Sequence, residues 1–152
     1  MKVIFLDVDG VLNSINKLKE VYQITKKPHS GKNYPFDEKC LNNLKDIVEA
    51  TNSKIVITSY WKNNPESLEI LFDKLEEYNL SKSVIGITPN KAYRELEILE
   101  YLKNNPTITN YIIIDDDGHM GTLSEDLIKT DIQTGLTKKD IKKCIKKLNM
   151  TI

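Results

Sequence analysis

The chain has 152 residues, 39% hydrophobic and 29% charged, enough for one compact domain over residues 1–152 and too few for two, too apolar for a disordered chain and too polar for a membrane protein. Its 22 basic residues balance 22 acidic ones, so no overall positive field gathers nucleic acid, and an anionic ligand must be held locally. The apolar opening from Val3 to Leu6 is too short for a signal-peptide core, and Cys40 and Cys144 are too far apart for a CxxC motif, so a reducing cytoplasm is expected.

Val3 to Leu6 reads as the first strand, and Asp7-Val8-Asp9-Gly10 follows it. Residues 13 to 36 show no clear period and contain Lys26-Lys27-Pro28-His29-Ser30-Gly31, a loop composition; a loop that long in a small domain is usually functional. Leu41, Leu44, Ile47 and Val48 then form an apolar helical stripe that Asp37 can cap, ending near Thr51-Asn52. Ile55 to Ile57 is a second strand, closed by Thr58-Ser59. Leu68, Leu71, Phe72 and Leu75 mark a helix opened by Pro65, and Val84 to Ile87 is a third strand. Leu96, Leu99 and Leu102 form the stripe of a helix stopped by Asn104-Asn105-Pro106. Tyr111 to Ile114 is a fourth strand ending in Asp115-Asp116-Asp117, and Leu127 to Ile128 is a weaker fifth. In the last helix Ile141, Ile145 and Leu148 face inward, and Lys138, Lys139, Lys142, Lys143, Lys146 and Lys147 form a solvated outer face. Most of the strand runs are apolar on consecutive residues, the pattern of a parallel α/β sheet covered by helices on both faces.

In such a sheet ligands bind beyond the carboxyl ends of the strands. Four or five carboxylates are expected to converge there, and clustered carboxylates need a cation or shared protons to offset their repulsion. With oxygen ligands and no Cys or His at these positions, Mg²⁺ is the favoured ion. Asp7 and Asp9, two apart, are expected to project to one side while Val8 points into the core. Ionised at neutral pH, Asp7 can attack phosphorus to give an aspartyl-phosphate, and Asp9 can protonate the leaving oxygen and then activate water. Thr58 offers a hydroxyl, and Lys91 or Arg94 a positive charge, to the phosphoryl oxygens.

The stretch Asp7-Val8-Asp9-Gly10-Val11-Leu12-Asn13 resembles the first motif of the haloacid dehalogenase (HAD) superfamily of phosphohydrolases. Ile55-Val56-Ile57-Thr58-Ser59-Tyr60-Trp61-Lys62 resembles the second, Arg94 with Glu97-Ile98 and Tyr101-Leu102 the third, and Ile112-Ile113-Ile114-Asp115-Asp116 the fourth. The stretch from Thr130-Asp131 to Gly135-Leu136-Thr137 is similar to a small branch that includes HAD domains of RNA repair proteins. The resemblance implies a Rossmann-like fold with a minimal cap, the insert at 13–36. It implies Asp7 as nucleophile, Asp9 as acid/base and backbone-carbonyl metal ligand, and Thr58 and Arg94 as phosphate-binding residues, with Ser59 and Lys91 competing for those roles. Mg²⁺ would be held by Asp7, Asp9, Asp116 and Asp115, and Trp61 and Lys62 are possible substrate contacts. The expected activity is Mg²⁺-dependent hydrolysis of a phosphomonoester, either a small phosphometabolite or nucleotide or the terminal phosphate of a nucleic acid. A nucleic acid would be met by Lys17, Lys19, Lys26, Lys27 and Lys32 of the insert and by Lys62 next to Trp61, with Glu20 the one nearby acid to pair with the insert lysines. The alternatives are a phospho-receiver, disfavoured by the order of its acidic motifs, and a catalytically silent interaction domain, disfavoured by the intact Asp7 and Asp9. Oligomeric state is left open.

Overall fold

Each of the five apolar runs becomes a strand in the computed structural model: β1 (Lys2–Leu6), β2 (Lys54–Ile57), β3 (Val84–Ile87), β4 (Asn110–Asp115) and β5 (Leu127–Lys129). The structure describes residues 1–27 and 31–150, without the side chain of Lys32, so Pro28, His29 and Ser30 of the expected loop and Lys32 as a substrate contact lie outside the described residues. All four strand pairings are parallel, in the order β3-β2-β1-β4-β5.

Alternate strand residues enter opposite cores, as the pleat requires. Ile4, Leu6, Ile55, Ile57, Ile112 and Ile114 join the larger core, with residues from α2 (Glu38–Thr51), α3 (Pro65–Glu77) and α5 (Lys138–Leu148). Val3, Phe5, Val56 and Ile113 join the smaller core, beneath α4 (Arg94–Asn104) and a 3₁₀ turn at Gly121–Asp126. Both faces are covered, and this explains the uninterrupted Val/Ile runs.

From β1 the chain steps outward through β2 to β3, then returns to the other side of β1 as β4. The reversal opens a crevice beyond the carboxyl ends of β1 and β4, where open α/β sheets place ligands. Receiver domains follow the order 2-1-3-4-5, so this Rossmann-like topology excludes the receiver alternative.

Local signals account for most helix boundaries. Asp37 caps α2 by accepting the Lys39 amide at 2.9 Å, and Pro65 opens α3 behind the Asn64 cap. In α4, however, Leu96 and Leu99 are exposed, and Ile98, Tyr101 and Leu102 pack inward beside a buried Glu97. The inward face is thus rotated from the leucine stripe, because a buried carboxylate occupies a position that apolar periodicity reads as outward. In α5 the buried apolar positions are Cys144 and Leu148, with Ile141 and Ile145 only half-buried.

The insert also departs from expectation, since residues read as aperiodic include a helix, α1 (Ile15–Thr25). Ser14 caps it through the Lys17 amide at 3.0 Å, Lys26 ends it in the left-handed conformation, and none of its residues is buried. Ile15, Leu18, Val21 and Tyr22 do keep a helical spacing within this segment, so the period is present although it faces no core. No described helix is long and apolar enough to cross a membrane.

Candidate active site

Strand register brings the site together. Leu6 lies level with both Ile57 and Ile114, and the ladder runs one step further: the Asp7 amide donates to Ile114 O at 3.0 Å and the Thr58 amide to Leu6 O at 2.9 Å. Asp7, Thr58 and Asp115 therefore stand side by side at the carboxyl edge. Asp116 follows, against Gly10, whose φ is +76° and where a Cβ would lie 2.6 Å from the Asp116 Oδ2. Only glycine allows both that turn and that approach. Thr130 braces the turn from behind, its buried hydroxyl donating to Gly10 O at 2.7 Å.

Carboxylate oxygens of Asp7, Asp115 and Asp116 lie within 4.8 Å of one another. Burial pushes the Asp7 carboxyl above its ordinary range, opposed by Arg94. Burial, followed by the charge of Asp7, pushes Asp115 up to about 8. Two carboxyls so penalised in their charged form, with oxygen donors alone around them, are a fit for a hard divalent cation such as Mg²⁺.

The convergence is smaller than the four or five carboxylates expected. Asp117 turns outward, accepting from the His119 amide at 2.9 Å. The Asp9 carboxylate does not join Asp7 either. The chain coils after Val8, with the Leu12 amide bonded to Val8 O at 2.8 Å, so strand alternation ends there, although Val8 does enter the core. Asp9 instead meets Asn13 Nδ2 at 2.8 Å, Trp61 Nε1 at 3.2 Å and the Tyr34 hydroxyl at 3.4 Å.

Arg94, the first residue of α4, crosses over the cluster. Its Nη1 lies 2.9 Å from Thr58 Oγ1, 3.2 Å from Asp115 Oδ2 and 3.6 Å from Asp7 Oδ1, and its guanidinium sits 5.4 Å from the ring centre of the exposed Tyr60. Lys91 is elsewhere, with its ammonium 3.2 Å from Glu100. Ser59 is taken up in capping the next turn, accepting the Trp61 amide at 3.2 Å.

Lys62 does not reach the site. Its side chain is 2% exposed and reaches Glu97 at 3.0 Å and Thr88 Oγ1 at 2.9 Å. Glu97 uses its other oxygen on Arg94 Nε at 3.3 Å, so a buried carboxylate orients the arginine while Lys62 balances its charge. Burial pushes the Lys62 ammonium down, and Glu97 opposes this. Replacing Lys62 with Met leaves Glu97 with only Arg94 as counter-charge; we expect a loss of about 2–3 kcal/mol, read from the denaturant midpoint. A Lys62→Met protein as stable as the wild type would show that Glu97 needs no second cation.

Sequence reasoning assigned no role to Glu97, Asn13, Tyr34 or Thr130. Glu97 stands three residues after Arg94, a helical spacing that places the two on one face; Asn13 acts locally, three and four residues from Gly10 and Asp9, whereas Tyr34 and Thr130 act across the fold, where spacing carries no signal.

The lysines expected to gather nucleic acid are not equivalent, because Lys17 pairs with Glu38 at 3.0 Å, whereas Lys26 and Lys27 are exposed. Cys40 and Cys144 are buried free thiols, both pushed up to about 12 by burial.

A family model described as the HAD domain in Swiss Army Knife RNA repair proteins matches residues 3–141. No curated protein and no solved structure gave a match.

Proposed function

The chain belongs to the family of HAD domains in Swiss Army Knife RNA repair proteins, and on that premise we propose that it is a Mg²⁺-dependent phosphatase that hydrolyses a phosphomonoester through an aspartyl-phosphate on Asp7. The observation that carries the reading is the packing of three carboxylates at the switch point of the sheet, with Arg94 laid across them. Such a cluster is costly unless it serves to hold charge.

Arg94 and Thr58 bind the phosphoryl oxygens, which replace Asp115 and Thr58 as acceptors for the guanidinium. Side chains of Asp7, Asp115 and Asp116 and the carbonyl of Asp9 would hold Mg²⁺, which when bound supplies charge that offsets both the carboxylates and the phosphate. Asp7 attacks phosphorus as the bond to the leaving oxygen breaks, and Asp9 gives that oxygen its proton. Asp9 then takes a proton from water, whose oxygen attacks the phosphorus of the intermediate. The bond to Asp7 breaks, and inorganic phosphate is released.

The family points to the terminal phosphate of a nucleic acid as substrate, and Lys19, Lys26 and Lys27, exposed on the insert, are cations placed to meet its backbone. The balanced net charge and the two buried free thiols suit a cytoplasmic protein. A panel assay with Mg²⁺ tests the reading, comparing nucleoside monophosphates, sugar phosphates and oligonucleotides ending in 3′- or 5′-phosphate. We expect the oligonucleotides to be hydrolysed fastest, with a rate that falls as salt rises and falls less steeply in a Lys26→Gln/Lys27→Gln variant. Faster hydrolysis of a small ester with no salt slope points to a metabolite phosphatase, and no release of phosphate from any of them to a silent interaction domain.

A further inference from the structure

Two questions about this site belong together: what the insert does, and why Asp9 points away from the other carboxylates. Its Oδ1 takes three donors. Asn13 Nδ2 lies at 2.8 Å, Trp61 Nε1 at 3.2 Å and the Tyr34 hydroxyl at 3.4 Å. Among the described residues its Oδ2 has only a share of the indole N–H, at 3.3 Å. The donors are themselves braced. Asn13 accepts the Gly10 amide at 2.9 Å and donates to the Tyr34 oxygen at 2.6 Å. The rings of Tyr34, Phe36 and Trp61 meet pairwise with centroids 4.8 to 5.4 Å apart, and the buried Phe36 anchors them in the larger core.

We infer that Asn13, Tyr34 and Trp61 are positioning residues for the proton transfers of Asp9, and that the insert is an arm delivering two of them to the leaving-group side of the site, not a cap that closes it. Oδ1 is the anchored oxygen, and Oδ2 is the one that carries the proton to the leaving group and later receives it from water. Because Asn13 donates to the Tyr34 oxygen, the Tyr34 hydroxyl proton is left to point at Asp9. A donor set braced by its own hydrogen bonds and ring contacts and aimed at one oxygen fixes the carboxylate plane at little reorganisation cost during the reaction. Trp61 and Tyr34 thus act through Asp9, with no need to stack on substrate.

The inference rests on the phosphatase reading, and the two fail differently. Leaving groups separate them: p-nitrophenolate departs without protonation, whereas an alkoxide does not. In Tyr34→Phe and Trp61→Phe we expect kcat for an alkyl phosphomonoester to fall roughly 10-fold or more with KM little changed. With p-nitrophenyl phosphate the first step persists and the second slows, so a burst of p-nitrophenol precedes a slower steady state. Equal losses for both esters without a burst, or no loss for either, would overturn the inference. A wild type inactive on both esters would reject the phosphatase reading instead. The geometry can also be read without turnover, since Trp61 is the sole tryptophan. In EDTA its emission should shift in Asp9→Asn and in Tyr34→Phe and stay unchanged in Asp117→Asn; an unmoved emission in the first two removes the basis of the inference, even if the fold of a variant is weakened.

Discussion

Asp7→Asn should lower turnover by a factor on the order of 10⁴ or more while making the metal-free protein more stable. The first effect follows from chemistry, since an amide of the same shape is a far poorer nucleophile than a carboxylate, and loss of a nucleophile removes the covalent route altogether. The second follows from electrostatics. Asp7 is 7% exposed and its charged form is disfavoured by burial, with Asp115 and Asp116 close by. Asparagine removes one charge from the cluster and relieves its repulsion. Steady-state assays and thermal melts in EDTA read the two together. A variant that keeps substantial activity would falsify the nucleophile assignment, and one that melts lower in EDTA would show that Asp7 is stabilising as a charge.

The pH dependence of stability should have an unusual sign and should be cancelled by metal. Asp115 is held up to about 8 in the folded chain against an ordinary 3.8, and Asp7 is raised with it. Between pH 4 and 8, therefore, the folded state keeps a proton that the unfolded state has released. Stability in EDTA then falls as pH rises through this window, and the penalty is complete above the folded pKa. We expect the melting temperature to drop by roughly 5–10 °C between pH 5 and 8, the size of a few kcal/mol in a domain of this length. Glu38, Glu95 and Asp117 are held below the ordinary range and pull the other way, but they lose their contribution only below about pH 5. Saturating Mg²⁺ should raise the melting temperature much more at pH 8 than at pH 5, because it binds the deprotonated cluster. Asp116→Ala should abolish that difference. A metal-free protein with a flat profile, or a Mg²⁺ shift equal at both pH values, would mean that the three carboxylates do not share one cation.

Read alone, the chain determined what depends on neighbours in sequence. Uninterrupted Val/Ile runs ending in acidic or hydroxyl residues are enough for a doubly covered parallel sheet with Asp7, Thr58 and Asp115 at one edge, because strand period and register are local consequences of burial. Caps such as Asp37 and Pro65 are equally local. What only the tertiary structure decided depends on groups brought together from distant positions. That Arg94 and not Lys91 lies over the carboxylates follows from where α4 begins relative to Thr58 and Asp7; the pairing of Lys62 with Glu97 reflects an ion pair spanning 35 residues. Asp9 is aimed at Asn13, Tyr34 and Trp61 because the chain coils at Gly10 and the aromatic rings of the insert find their apolar surface in the core. A charge hidden among apolar residues, as Glu97 is, reads in sequence as a surface position, since its burial is set by the partner and not by the residue's own periodicity.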